Sequence, residues 1–186
     1  MNTRASGKRE RIVQAAYEQF YARGFARVSM DEIAAAAGIT KRTLYSYFPS
    51  KDDLAGAAAE QAQSLALAQF ERWIHVLESH ATSAIPALFD KLETWVRRPH
   101  WAGSGFTRIA MELADLPGHP VRRAARAHKK TLEDTLASAF GDRAYARKLV
   151  LVLEGALTVF LVTGDPDVFR SAREIAASLQ RATDRS

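Results

Sequence analysis

"GITKRTLYSYFPSKDDL", residues 38–54, is the stretch from which the fold can be read. Gly38 lacks a Cβ and permits a sharp turn. Thr40 is placed to cap a helix over Lys41–Phe48, and Pro49 stops it. Leu44 and Phe48, four apart, share the inner face of that helix. Lys41, Arg42, Thr43, Ser46 and Tyr47 are then left outward, with Tyr45 flanking them. Tyrosines rarely cluster beside cations on an idle, solvated face. Ser50 caps the next helix, and Asp52 and Asp53 fall in its first turn, where the helix dipole favours acids.

The preceding residues supply two more helices. Ile12, Ala16 and Phe20 recur every four residues and predict a helix over about 8–23, closed by Gly24. Ser29 and Glu32 form an S-x-x-E capping box, with Val28 and Ile33 as a hydrophobic staple. Ile33, Ala34 and Ala37 make the inward stripe of this second helix. Two short helices joined by about three residues around a glycine make a helix-turn-helix. In that motif the second helix uses its inner face for packing and its outer face for the major groove. Lysine and arginine suit phosphates or guanine edges, and threonine and tyrosine hydroxyls suit phosphates. Lys51 is placed to reach the flanking backbone, and Ser29 and Met30 open a helix whose first N–H groups attract phosphate.

The charge distribution points the same way. The chain has 186 residues and a net charge of +5. Residues 1–51 hold nine Lys/Arg against four Asp/Glu, which accounts for the whole excess, so the remainder is neutral. A basic module on a neutral body suits a polyanion at one end. Apolar residues make up 47%, enough for a real core. The absence of cysteine excludes disulfides and thiolate metal sites and fits a reducing, cytoplasmic setting. The N-terminus lacks a signal-peptide apolar run. The longest apolar stretch, "KLVLVLEGALTVFLVTG", is broken by Glu154 and too short to span a bilayer, so no membrane association is expected.

The phenylalanine and glycine closing the first helix, "IAAAAGIT", "TLYSYF" and "SKDDL" occur in this order within some 40 residues. In this the N-terminal 55 residues resemble the TetR family of bacterial transcriptional regulators. A weaker likeness, "FTRIAMELADLPGHPVRRAARAHKK", is similar to one branch of TetR-like ligand-binding domains. The resemblance implies an all-α homodimer that binds double-stranded DNA and responds to a small-molecule effector. It implies DNA contacts from Lys41, Arg42, Thr43, Tyr45, Ser46, Tyr47 and Lys51, with Tyr45 on phosphate and Lys51 clamping the backbone. Arg42 occupies a position that varies in the family, and its role as base reader or phosphate clamp stays open.

About nine helices are expected: an N-terminal helix-turn-helix DNA-binding domain over 1–54 and a helical-bundle effector-binding and dimerisation domain over 55–186. The later helices are predicted at about 82–98, 106–116, 121–140, 143–163 and 167–183, with "RPHWAGSGF", 98–106, as a loop. For a dimer seam the candidates are Leu151, Gly155, Ala156, Leu157, Phe160 and Leu161, against the alternative that this helix is central core. For an effector pocket they are Trp95, Trp101, Phe106, Met111, Glu112, His128 and Tyr145, beside Trp73 and Phe89, although aromatics at helical spacing more often make core. Glu112, an acid among Ile109, Met111 and Leu113, needs a partner. A base from "RRAARAHKK" is favoured over a cationic effector. No two of the five histidines stand four apart, so no metal or other cofactor is expected. His119 in "GHP" should order a turn. The chain shows no Gly-rich phosphate loop, nucleophile elbow or Glu-x-x-His signature, so an enzyme is not expected. A helical adaptor binding acidic proteins is the remaining rival.

Overall fold

The structure is a computed structural model. It describes the backbone of residues 3–78, 84–99, 101, 103 and 105–183, and side chains over 7–75, 84–99, 101, 103 and 107–179. Among these residues nine α-helices and no strand occur: α1 (Thr3–Arg23), α2 (Met30–Ala36), α3 (Lys41–Tyr47), α4 (Lys51–Glu78), α5 (Ala84–Val96), α6 (Gly105–Glu112), α7 (Pro120–Phe140), α8 (Arg143–Thr163) and α9 (Asp167–Thr183). Among the described residues, no helix is long and apolar enough to cross a membrane.

Contacts divide the chain into two compact units, Met1–Leu65 with Ser104–Ala127, and Ala66–Gly103 with His128–Ser186. Packing therefore draws its line differently from the functional division expected at residue 54. It places α6 and the start of α7 in the same unit as the helix-turn-helix.

The first unit has its own core. Ile12, Ala16 and Phe20 of α1 meet Ile33 of α2, Leu44 of α3, Leu54 and Ala58 of α4, Ile109 of α6 and Val121 of α7. Local chemistry sets the helix ends here. Ser29 and Glu32 bond reciprocally as a capping box, and Ala37 caps the C-terminal end of α2. Gly38, at φ 66°, adopts the left-handed turn that follows. The helix predicted over Lys41–Phe48 stops at Tyr47, because Phe48 before Pro49 is extended, with φ −135° and ψ 104°. The helix predicted near 106–116 ends at Glu112. Ala114 and Leu116 then close i→i−3 turns before Pro117. His119 does order its turn, since its Nδ1 accepts the Val121 N–H at 3.1 Å at the start of α7.

The second unit packs α5, α8 and α9 with the end of α4 and most of α7. Its core holds Leu88, Phe89, Leu136, Leu149, Leu153 and Phe169, among others. Asp142 caps α8 by accepting from the Ala144 and Tyr145 N–H groups, and Gly164 closes it.

Candidate nucleic-acid interface

Only Leu44 of the seven residues of α3 is buried; Phe48, just past its end, is the second anchor. Lys41, Arg42, Tyr45 and Ser46 are exposed, and Thr43 and Tyr47 are half-buried. Tyr47 also packs partly against the core, so its ring is shared between support and surface. The inward and outward sets therefore fall where the four-residue spacing of Leu44 and Phe48 predicts.

The outward groups are held by local contacts. Thr40 Oγ1 lies 2.9 Å from Thr43 Oγ1 and also accepts the Thr43 N–H at 3.2 Å. Ser46 Oγ donates to the Thr43 carbonyl at 2.6 Å. Lys41 Nζ pairs with Asp31 of α2 at 2.8 Å, which raises the lysine pKa through the Asp31 hydrogen bond and charge. Arg42 has no ion-pair partner among the described residues.

Ser29 is exposed at the start of α2, with Oγ accepting the Glu32 N–H at 3.2 Å. Met30 beside it has a buried side chain, so only its backbone faces any anion there. Glu32 accepts the Ser29 N–H at 2.8 Å and pairs with Arg23 at 2.7 Å. The Ser29 amide, then Arg23 and the Ser29 hydroxyl, hold its pKa down to about 2.

Lys51 does not stand clear of the surface. Its Nζ lies 4.2 Å from the centroid of the Phe25 ring, a cation–π contact. Burial lowers its pKa, opposed by the charges of Asp52, Glu112 and Glu32. Phe25 went unremarked in the sequence, and so did Arg9, whose guanidinium carbon sits 5.0 Å over the Phe48 ring. The cue for Phe25 was its place directly after the helix-closing Gly24. For Arg9 no sequence signal was available, because its contact is made 39 positions away.

The residues expected to line an effector pocket fall in both units. Met111 is 60% exposed on α6. Glu112 uses its carboxylate within the first unit: Oε2 accepts the N–H groups of Phe25 and Ala26 at 2.9 and 3.2 Å. The base expected to partner it is therefore replaced by backbone donors. In the second unit Trp95 and Trp101 meet edge to face at 5.8 Å, and Trp101 lies 5.6 Å from Phe160. Tyr145 is buried against Phe140. Burial, aided by Lys129 and opposed by Glu154, lowers the His128 pKa to about 4, so its ring is neutral near pH 7. The side chain of Phe106 lies outside the described residues. An open trough of about 450 Å³ is lined by Trp73, Ala87, Asp90, Lys91, Thr94 and Arg98, which share only Trp73 with the expected set.

On α8, Leu151, Gly155 and Leu161 face outward, together with Val159 and Val162. Ala156 and Leu157 correct the expected seam: both are buried in the core of their own unit, on the face that carries Leu149 and Leu153. Phe160 is half-buried, between Trp101 and Phe169.

Comparison with known proteins gives this arrangement a setting. The sequence profile of bacterial regulatory proteins of the tetR family matches residues 12–58. The uncharacterized HTH-type transcriptional regulator YvdT of Bacillus subtilis is 37% identical over 75 residues, 40% of this chain and 39% of YvdT. This chain thus matches well under half the length of that relative. SCO4454, a TetR-family regulator from Streptomyces coelicolor, superposes with a TM-score of 0.78 and 28% identity over 95% of this chain and 96% of its own. The multidrug binding protein EbrR, solved in complex with ethidium, has a TM-score of 0.72 and 27% identity over 92% of this chain and 98% of its own. With the family's signature spanning the helix-turn-helix and a shared fold along nearly the whole length, this chain belongs to the TetR family of bacterial transcriptional regulators.

Proposed function

We propose that the chain is a ligand-responsive transcriptional repressor that binds a palindromic operator as a homodimer and is released by a small molecule. The outer face of α3 carries this reading. Anchored through Leu44 and Phe48, it presents Lys41, Arg42, Thr43, Tyr45, Ser46 and Tyr47 with few internal partners. Arg42 is the residue with most freedom to reach a guanine edge, by a bidentate pair, or a phosphate. Tyr45, 42% exposed, offers a hydroxyl to the phosphate chain, as do Thr43 and Ser46. Lys51 and the opening of α2 at Ser29 and Met30 flank this face as backbone contacts.

The dimer reading rests on the outer face of α8. Leu151 is 67% and Val162 79% exposed, and nothing lies within 4 Å of where a Cβ on Gly155 would stand. Such an apolar strip on a helix needs cover. A second copy supplies it symmetrically and sets two recognition helices on successive turns of a palindrome. The likeness to EbrR supports a small-molecule signal. Within this chain the aromatic cluster around Trp95 and Trp101 and the neutral, buried His128 are the groups suited to an uncharged or aromatic ligand.

Selection of duplexes from a random pool tests the reading directly. One palindromic motif should be enriched, and its binding should weaken steeply with salt as counterions are released. Enrichment of no sequence would overturn it in favour of a basic adaptor.

A further inference from the structure

We propose that Glu112 is a positioning residue for DNA binding: its carboxylate, seated on the turn behind α1, fixes the Phe25 ring on which Lys51 rests. The inference rests on the reading of Lys51 as a DNA backbone contact.

The turn is built to receive an anion. Gly24 at φ 84° places the following Phe25 and Ala26 amides side by side, a backbone nest of the kind that binds anions. Glu112 fills it from 86 and 87 positions away. A Cβ on Gly24 would stand 2.5 Å from Glu112 Oε1, so the glycine serves both the backbone turn and the space for the carboxylate. One helical turn earlier on α6, Arg108 donates to the carbonyls of Phe20 and Tyr21, near the end of α1. A cation on the last carbonyls and an acid on the amides beyond them match both poles of the helix end. Together they tie α6 to the head through two contacts of opposite sign.

Phe25 is fixed on its other sides as well. Its ring lies 5.6 Å from Phe20 and meets the edge of His119 at 5.4 Å. His119 is held in turn by the Val121 amide, and its Nε2 lies 3.3 Å from Asp52 Oδ1. Lys51 Nζ sits 4.2 Å above the same ring. A lysine side chain has a flexible four-carbon stem, and ordering it on binding is costly. A ring that holds the ammonium in place before DNA arrives removes part of that cost. The ring keeps its place only while Glu112 keeps the turn, so a displacement of α6 reaches Lys51 without touching α3.

The test is a double-mutant cycle on the full chain, using the duplex recovered from the random pool. Lys51→Ala should weaken binding about tenfold in the otherwise unchanged protein, as expected for one lost phosphate contact, and less than about twofold in a Glu112→Ala background. Glu112→Gln, which keeps an acceptor oxygen, should restore part of the Lys51 effect and provides the cycle if Glu112→Ala fails to fold. Independently of DNA, NMR should show faster amide exchange at Phe25 and Ala26 in Glu112→Ala, and loss of the upfield ring-current shift on the Lys51 side-chain methylenes. Equal Lys51→Ala losses in both backgrounds, or unchanged exchange and ring-current shifts, would overturn the proposal alone. A Lys51→Ala protein that binds as tightly as the parent would instead remove Lys51 as a DNA contact, and the proposal with it.

Discussion

Helices α3 and α8 each bury one face in the protomer and leave the other bare, and the two bare faces differ in kind. The outer face of α3 carries cations, hydroxyls and tyrosine rings over seven residues. That of α8 carries Leu151, Val159, Leu161 and Val162 around Gly155, over three turns. What a helix leaves over after packing names the partner it can take. Hydrogen-bonding cations gain little from an apolar surface and much from phosphate, whereas exposed leucine and valine gain by burial at about 25 cal/mol per Å². A two-fold reader of DNA needs both, one face to grip and one to set the spacing.

The contrast breaks first at α8. Leu151→Glu with Val162→Glu should leave each protomer folded, because both side chains are exposed and neither fills the core. Two buried charges facing their symmetry mates should abolish the dimer. Sedimentation should then report a monomer. Operator affinity should fall about 10³-fold, because the second half-site loses its tethered partner. A persistent dimer would move the seam elsewhere on the molecule.

The inner and outer faces of α3 can be separated in the same way. Leu44→Ala removes a fully buried anchor and should cost about 2–5 kcal/mol of stability, visible as a lower thermal midpoint as well as weaker binding. Arg42→Ala should leave the midpoint unchanged, weaken binding about tenfold and lower the slope of log affinity against log salt by about one. Lys41→Ala should have a smaller effect on both affinity and slope. Lys41 must give up Asp31 to meet a phosphate, and Asp31 itself repels one. Equal losses at the two positions would show that the pair with Asp31 does not limit Lys41.

The head was legible because its signals are local. Ser29–Glu32, Gly38, Thr40, Pro49 and the Leu44–Phe48 spacing each act within four residues, and each appears in the structure as read. Glu112 shows the limit. The sequence marked it as an acid in need of a partner, but the donors are amides 86 and 87 positions away, and no local pattern encodes them. Phe25 was missed because its importance comes from three neighbours, Lys51, His119 and Glu112, that only the fold assembles. Helix α8 failed in another way. "KLVLVLEGALTVFLVTG" is apolar almost all round, so periodicity cannot assign an inner face. Ala156 and Leu157 were accordingly placed outward when they belong to the core.

The smallest expected effect concerns how firmly the first two helices present α3. Glu32 joins them, accepting from Ser29 at the start of α2 and pairing with Arg23 at the end of α1. Folding lowers its pKa from an ordinary carboxylate value to about 2, chiefly through the Ser29 amide. A group whose pKa is depressed on folding adds stability in full above its unfolded pKa and loses it as pH falls through the folded one. The contribution of Glu32 should therefore be constant near neutrality, begin to fall below about pH 4.5, the model carboxylate value, and be gone near pH 2. Glu32→Gln keeps an acceptor for the capping box but cannot titrate. The difference in thermal midpoint between parent and variant should be flat from pH 7 to 5 and shrink toward zero between 4.5 and 2. The same difference at high salt should be smaller, because both partners are exposed. A difference that stays constant down to pH 2 would mean that the charge of Glu32 does not hold α1 to α2, leaving their order to Ile12, Phe20 and Ile33 in the core beneath.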